Sequence, residues 1–550
     1  MSSAPPAAIY GGDEVSALVI DSGSWSTRAG YAGEDSPKLV FSSYYGYKEE
    51  EVSEEISTEP SNGDDKKSSE KQGSSNTTPE VDHEGDTKME NGDDNVEAVA
   101  TPAVSSESTN PETTNGNRAK SPNVKTAKVT KKHYYIGDNS LHIPRDGAEI
   151  KNPMSKDGIV EDWDAMEQLW DYILDKQLMV ETAEHPLLLT EQTWNTTANR
   201  QKAMELAFEK YNFPAFYMIK SPVASLFAAG KGSGLVVDIG HNVTSVTPIV
   251  DGLPLYKSSR RSRFAGVYLS NQVRNLVEKK EGITLNPRYT IAKKYAVPMG
   301  AAARFDRRKL DISITESYHT LQQNRIIDEF KETLLQVSDT PFTKEMGDTA
   351  VRRPFEFPDG SSREYGAERF EVAEALFNPK KYALPDQPTE DEPAIVYEPK
   401  IIQEGVASEA AAAANSTKDG GAAEPIPSYM YADTRPIPAF SNTLGLSQLI
   451  VDSINACDVD IRANLANNIV ITGGTSQVQG LTDRINSDLS LAMAGVKIRL
   501  YAPGNYVERN YSSWVGSSII SSLGTFHQLW ISKKEYDEVG PAKLLERRFK

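Results

Sequence analysis

The chain has 550 residues, enough for more than one domain and a sizeable core, and 78 acidic against 59 basic side chains give it a formal net charge of −19. That balance makes the chain as a whole a poor non-specific binder of nucleic acid. A single cysteine, Cys457, excludes an internal disulfide framework and suits a reducing compartment, and seven scattered histidines show no metal-ligand spacing. No apolar run approaches membrane-spanning length, and Met1 to Tyr10 has no basic region followed by an apolar core, so neither a membrane span nor a secretory leader is expected.

Residues 13 to 47 read as the first globular piece. Within it, Ala17 to Tyr31 runs through a short apolar stretch ending in Asp21, a turn at Ser22-Gly23, and a second alternating stretch, the pattern of a hairpin. From 48 to 132 aromatic residues vanish until the tract's end, and seventeen acids stand against four lysines between Glu49 and Glu97. Such a segment buries too little apolar surface to offset its ordering entropy, so disorder is expected. Its last part turns basic, with Arg118, Lys120, Lys125, Lys128, Lys131 and Lys132, which suits an import signal, a nucleic-acid contact or a solvated flank.

The globular chain resumes at Tyr134. Helices are predicted over Trp163 to Leu178, Asn199 to Tyr211 and Pro222 to Ala229, with a buried strand at Pro186 to Thr190 between the first two. The stretch Leu235 to Val250 then repeats the first hairpin: an apolar run, Asp238, a turn at Gly240, and an alternating strand rich in β-branched residues. Residues 254 to 380 mix helices and loops, with an amphipathic helix at Asn324 to Leu335. Residues 385 to 440 combine Pro-rich pieces, an Ala run and Gly-Gly and read as a loop insertion. A helix at Leu446 to Ala456 leads to a strand, a Gly473-Gly474 turn and a helix. A strand near Val496 to Tyr501, a helix over Ser513 to Leu523 and a short helical tail follow.

Two hairpins ending in Asp-x-Gly suggest a duplicated unit. Backbone N–H groups of such a turn can form an anion site, and the strand-end carboxylate, which would repel phosphate directly, can hold waters on a Mg²⁺ that bridges phosphate oxygens. The Gly-Gly turn allows a base or ribose to approach the backbone closely. Two ordinary hairpins and a tight turn without a ligand would show the same letters.

Three features occur in one order: the first hairpin, the second hairpin with its following Asp251-Gly252, and Thr472-Gly473-Gly474-Thr475. The tail adds Tyr511-Ser512-Ser513-Trp514-Val515-Gly516-Ser517-Ser518-Ile519-Ile520 and, after a short gap, Gly524 to Tyr536. Together they resemble actin and the actin-related proteins over essentially all the globular chain, failing only in the two insertions. Within the family the chain is most similar to the fourth class of actin-related proteins, through Tyr10 to Ala17, Gly445-Leu446-Ser447 and Gly540 to Phe549. The resemblance implies an α/β, actin-like two-domain ATPase fold of ribonuclease H-like duplicated units around a nucleotide cleft. The first domain would comprise 13–47 and 133–253 with about 504–550, the second 254–384 and 441–503, with disordered insertions at 48–132 and 385–440. It implies ATP and Mg as cofactors. Nucleotide contacts would come from Ser24, Trp25, Arg28, His241, Asn242, Gly266, Lys331, Glu332, Gly473, Gly474 and Thr475, and water-mediated Mg contacts from Asp21 and Asp238.

The departures point away from turnover. Ser221 stands where the family has the Gln that orients the attacking water, and Ser245 where it has an assisting His; serine lacks their reach. His241-Asn242 replaces the second turn's Asp-Gly, and Trp25 replaces a first-turn Gly. A possible cation at His241 would retain an anion, and Trp25 could close over the nucleotide. Asn510 replaces a Lys on the adenine and Val478 a Tyr. No catalytic residue is therefore assigned. Class membership implies a nuclear, non-filamentous scaffold of chromatin-remodelling and histone acetyltransferase complexes, acting in transcription regulation and DNA repair. Its partners would be actin, a partner helix and, as a further candidate, histones, with no membrane and no homopolymer, because the acidic tract replaces a loop that actin filaments need. The partner groove would use Phe227, Val515, Ile519, Ile520 and Leu523. The rival readings are a polymerising actin-like ATPase and a sugar kinase of the same superfamily, for which Ser221 and His241 supply no carboxylate base.

Overall fold

The computed structural model describes residues 16–56, 96–98, 125–385, 387, 391 and 440–549. In chain order, β1 (Leu18–Ser22) and β2 (Ser26–Tyr31) form the first predicted hairpin, and β3 (Leu39–Ser42) continues it antiparallel. Next come β4 (Leu187–Glu191), parallel to β1, and β5 (Ala215–Lys220), parallel to β4, followed at once by helix α1 (Ser221–Ala228). The second hairpin is β6 (Gly234–Ile239) and β7 (Thr244–Val250). β8 (Arg260–Ser262) lies antiparallel to β7, and helices α2 (Gly266–Arg274) and α3 (Glu316–Leu334) follow. β9 (Phe440–Ser441) pairs with β8; β10 (Ile469–Thr472) runs parallel to β6, and β11 (Leu500–Tyr501) parallel to β10. Helix α4 (Ser512–Ser521) and β12 (Ile531–Ser532), antiparallel to β5, complete the set.

The two large sheets share five strands in one topology, β3-β2-β1-β4-β5 and β8-β7-β6-β10-β11, and each adds edge strands of its own. One runs β3-β2-β1-β4-β5-β12, the other β9-β8-β7-β6-β10-β11, so each hairpin's first strand has a parallel neighbour on its other side. Those neighbours, β4 and β10, are buried along their whole length, as parallel strands covered on both faces must be. One core joins Leu18, Trp170, Phe216 and Leu544; the other joins Leu235, Phe330, Leu449 and Ile485.

The sheet order corrects one expected boundary. The second hairpin, placed with the first domain up to residue 253, belongs to the second sheet, and the crossing falls between α1 and β6. Apolar alternation states that a strand is half-buried, not which sheet buries it. The helix expected from Asn324 begins at Glu316, because Gln322 bonds the Leu141 carbonyl and Ser317 accepts from the Ile150 N–H, giving its polar first turns partners. The strand expected from Val496 spans only Leu500–Tyr501, and after Gly474 a short 3₁₀ turn precedes a helix that starts at Leu481. The helices expected to Leu178 and Tyr211 both finish in wider π-helical turns.

The acidic tract also begins and ends differently from expectation. Tyr45–Ile56 pairs antiparallel with Lys125–Ile136, setting Glu49 opposite Lys132 and Glu50 opposite Lys131. The acidic entrance and basic exit thus complement each other across the ladder. The rest of the tract, with Arg118 and Lys120, lies outside the described residues apart from the short strand Val96–Ala98. So does 385–440 except 385, 387, 391 and 440.

The sheets meet through α1 and α4. Ala224 packs with Val19, Trp514 and Ile520 toward the first sheet, while Val223 and Leu226 pack with Val236 and Val470 of the second. Gly516 lies so close to α1 that an added Cβ would overlap the Ala224 carbonyl oxygen. Gly516→Val must therefore push two buried helices apart. It should destabilise by about 1–3 kcal/mol, the usual range for overpacking, and lower the melting temperature in calorimetry.

Candidate functional site

A cavity of about 660 Å³ opens between the sheets where both hairpins turn. All thirteen residues predicted for nucleotide or metal line it: Asp21, Ser24, Trp25, Arg28, Asp238, His241, Asn242, Gly266, Lys331, Glu332, Gly473, Gly474 and Thr475. This placement at the carboxyl ends of parallel strands is where open α/β sheets hold ligands.

The first turn is closed by Gly23 N–H donating to the Ser26 carbonyl (3.1 Å). The second is closed by Gly240 N–H to the Val243 carbonyl (3.0 Å), and it is braced from outside. The Gly240 carbonyl accepts from Gly266 N–H at 3.0 Å and from Thr475 Oγ1 at 2.8 Å, and Val267 N–H reaches the His241 carbonyl at 2.8 Å. Gly266 must be glycine in this arrangement, since a Cβ would sit 2.9 Å from Thr475 Oγ1 and 3.2 Å from His241 Cα. Gly473 is held at φ +91°, and its missing Cβ leaves room for the Asp238 carboxylate.

The two strand-end carboxylates differ. Asp21 accepts from Thr190 Oγ1 (2.5 Å), Ser513 Oγ (2.6 Å) and Arg28 Nη1 (3.2 Å). Among the described residues no hydrogen bond or ion pair reaches the Asp238 carboxylate. Burial, then repulsion from Asp21, pushes its pKa up to about 6 against a counteracting pull from Arg28. A bare, desolvated carboxylate beside a second one is an arrangement that a cation relieves. Two acids alone are too few for an all-protein cage, and no group of three or more metal-ligating side chains occurs among the described residues. The pair fits a hard divalent ion that keeps waters and takes further oxygens from a phosphate ligand.

His241 corrects an expectation. Burial and the Lys331 charge drive its pKa down to about 3, so the imidazole is neutral and supplies no cation. Its ring instead lies 4.8 Å from that of Trp25, which also meets Tyr44 edge-on, so an aromatic contact joins the two turns across the cleft. Two polar contacts also cross the cleft, Asn242 Nδ2 to the Ser155 carbonyl (3.1 Å) and Arg263 to Asp157 (2.9 Å), while Asn152 Nδ2 holds the Ser24 carbonyl (2.8 Å) on the first side.

Lys331 on α3 pairs with Asp328 (2.8 Å) and donates to Ser270 Oγ (2.7 Å) and the Gly266 carbonyl (3.3 Å). Burial and then Asp328 raise the Glu332 pKa, with Lys331 opposing. The buried Ser221 hydroxyl donates to the Glu191 carbonyl (3.2 Å), and Ser245 is likewise buried. Asn510 and Val478 both line the cavity, Asn510 beside Gly474.

Sequence reasoning missed several cavity residues. Arg325 and Asp328 line it three residues apart on the face of α3 that carries Lys331, a spacing that could have found them. Gln192 could have been found from its place just past the buried strand β4. Outside the cavity lining, Asn152 and Ser155, which bond the two turns, sit on a loop with no motif.

Of the groove residues, Phe227, Ile519 and Leu523 are exposed and Val515 is half-buried, but Ile520 is core, packed with Ala224 and Trp514. It is removed from the groove. The three- and four-residue spacing that selected these side chains fits an inward face as well as an outward one.

Comparison with known proteins agrees with this architecture. The family model for actin matches residues 12–550. The chain is 40% identical to Actin-related protein 4 of Yarrowia lipolytica, over the full length of both chains. It is 34% identical to Actin-related protein 4 of Mycosarcoma maydis, covering 97% of this chain and 98% of that one, and 34% identical to that of Schizosaccharomyces pombe, covering 99% of each.

The two glycines of the 473–474 turn should respond unequally to alanine. Gly473→Ala combines a left-handed backbone with a collision against Asp238 and the Ile239 carbonyl, so a loss of about 1–3 kcal/mol is expected. Gly474→Ala meets only the Asn510 side-chain tip and should lose less than about 1 kcal/mol. Thermal melts of the two variants check the order.

Proposed function

The chain belongs to the actin family, and from that premise we propose that it is a nucleotide-binding scaffold that holds ATP with Mg²⁺ and turns it over little or not at all. Actin family members in general bind ATP with a divalent metal. The observation that carries the binding half is the pairing of a satisfied Asp21 with a bare Asp238 between two closed turns. Asp21 and Asp238 would hold the metal's waters. The turns at Gly23 and Gly240 would face the phosphates, and Gly473, Gly474, Lys331 and Glu332 the nucleoside. The metal, when bound, neutralises phosphate charge.

The reading of lost turnover rests on Ser221 and Ser245. Neither side chain can reach a water as a glutamine or histidine does, and Ser221 directs its hydroxyl to the Glu191 carbonyl. Missing acid–base help costs roughly 10²–10⁴ in rate. One observation favours a second reading, a slow ATPase: Gln192 lines the same cavity and carries an amide able to orient water. Phosphate release above background that disappears in Gln192→Ala would establish that reading.

Nuclear residence, membership of chromatin-remodelling and acetyltransferase complexes, roles in transcription and repair, and pairing with actin or histones are part of the proposal. Their support is the resemblance to the fourth class described above, together with the acidic tract, whose like charges disfavour filaments of this chain.

ATP with Mg²⁺ should raise the melting temperature; ligand about 1,000-fold above Kd stabilises by about 4 kcal/mol. Asp238→Asn should abolish the Mg²⁺-dependent part while phosphate release stays at background in both proteins. A wild type that shows no shift at millimolar ATP ends the binding claim.

For the groove, the informative sites are the exposed Phe227 and Ile519 rather than Ile520. Phe227→Asp and Ile519→Asp should leave melting nearly unchanged yet abolish capture of an amphipathic partner helix, because such contacts concentrate their energy in a few anchors. Unaltered capture by both variants would move the docking surface elsewhere.

A further inference from the structure

Outside the cleft, one element reverses the charge of the chain. Ile291–Lys294 and Phe305–Arg307 form an antiparallel two-stranded ribbon in the second half of the chain. From Arg288 to Lys309 there are seven cationic side chains and one acid, Asp306, and all seven cations are exposed. Lys294 pairs with Glu356 at 2.6 Å. The other six, Arg288, Lys293, Arg304, Arg307, Arg308 and Lys309, have no carboxylate partner among the described residues. The one acid is itself engaged, accepting the Tyr295 hydroxyl at 2.7 Å, and the Tyr295 ring lies between Lys293 and Arg304 at 4.9 and 5.1 Å.

The ribbon is also fixed in place. Gly300 N–H donates to the Ser362 carbonyl at 3.0 Å and Arg363 Nη1 to the Ala301 carbonyl at 3.0 Å, tying its loop to the neighbouring hairpin Arg353–Glu356 and Ser362–Tyr365. The acidity of the whole chain is concentrated elsewhere in the sequence. Thirteen of the nineteen excess negative charges come from the tract between Glu49 and Glu97, where seventeen acids face four lysines. Screening confines each charge's influence to about 8 Å at physiological salt.

We propose that this ribbon is a contact surface for the phosphate backbone of double-stranded DNA, an interaction beyond the scaffold and nucleotide reading above. A two-stranded ribbon is a shape that the major groove of B-form DNA admits, whereas the deep, narrow groove of an RNA duplex does not. The cations are carried on both strands and at both ends, so they follow an extended line of charge. Four of the seven are arginines, whose planar forks match phosphate oxygens in pairs. Binding is backbone-directed and carries no base preference, since the ribbon presents charge rather than a donor–acceptor pattern.

The test is fluorescence anisotropy of the full chain with a labelled mixed-sequence DNA duplex of about 30 base pairs, between roughly 50 and 200 mM salt. The triple variant Arg304→Gln/Arg307→Gln/Lys309→Gln changes only exposed side chains. It should bind at least about tenfold more weakly at the lower salt and reduce the slope of log affinity against log salt by about 3. Lys309→Gln alone should reduce that slope by about 1. A control triple on the first sheet's side, Lys176→Gln/Lys202→Gln/Lys543→Gln, should bind as the wild type does. The proposal is overturned if the wild type fails to bind the duplex at about 50 mM salt, if the ribbon triple binds like wild type, or if the control triple loses as much. Equal affinity for an RNA duplex overturns the groove fit. Capture of a poly-glutamate peptide without capture of DNA overturns the proposal in favour of an acidic protein segment.

Discussion

The contact on which the rest depends is the backbone-to-backbone approach of α1 and α4 at Ala224 and Gly516. Each sheet has its own core, and these two helices are where the cores are joined. Small side chains make the approach possible, and hydroxyls keep the close-packed polar atoms satisfied. Ser512 bonds Ser225 at 3.0 Å and also Thr472 at the end of β10, while its neighbour Ser513 bonds Asp21 at the end of β1. The floor of the cleft is thus tied to the end of β1, which delivers Asp21, and to the end of β10, the parallel neighbour of the strand that delivers Asp238. A bulkier residue in this seam would shift Asp21 relative to Asp238, and a cation bridging site tolerates little misplacement because its ligands are hard and its geometry tight.

Across the mouth of the cleft the contacts are of another kind. Trp25 against His241, Asn242 against Ser155 and Arg263 against Asp157 are side-chain contacts at the cleft surface, individually weak and separable. The floor is thus helix packed on helix, whereas the rim is held by side chains. The neutral state of His241 belongs to that closed rim: burial and Lys331 remove its charge. A ring without charge packs against Trp25 at a tilt, with no desolvated cation to accommodate.

Much of the fold was legible because its signals are local. Both hairpins, the buried run at β4 and the Gly473-Gly474 turn each carry a local period or a turn residue, and the twelve site residues drawn from the hairpins, that turn and α3 share one cavity with Gly266 of α2. What was not legible depends on partners distant in sequence. The second hairpin's assignment to the second sheet is decided by β10, more than two hundred residues later. The start of α3 is decided by Leu141 and Ile150, and the burial of Ile520 by Ala224 and Trp514. The pairing of Tyr45–Ile56 with Lys125–Ile136 extends a ladder past Lys48 and before Lys132, into two stretches whose compositions, read separately, suggested disorder. The polar rim escaped notice for the same reason, since Ser155 acquires a role only when Asn242 of the opposite turn is placed against it, and Asn152 only when Ser24, more than a hundred residues earlier, is beside it.

The duplication explains why the two carboxylates behave differently. In the first hairpin Asp21 stands directly across the ladder from Arg28; in the second, Asp238 stands across from Ser245. The same divergence occurs on the other side. Thr190, one residue beyond the parallel register of β1 and β4, donates to Asp21, whereas Thr472, in register with Asp238, turns its hydroxyl to the Arg509 carbonyl and to Ser512. Two changes of partner on a shared framework therefore give one carboxylate three hydrogen-bond donors and leave the other without a side-chain partner among the described residues. The charge deficit of the pair thus falls on Asp238 alone, beside the position where Gly473 leaves out a Cβ.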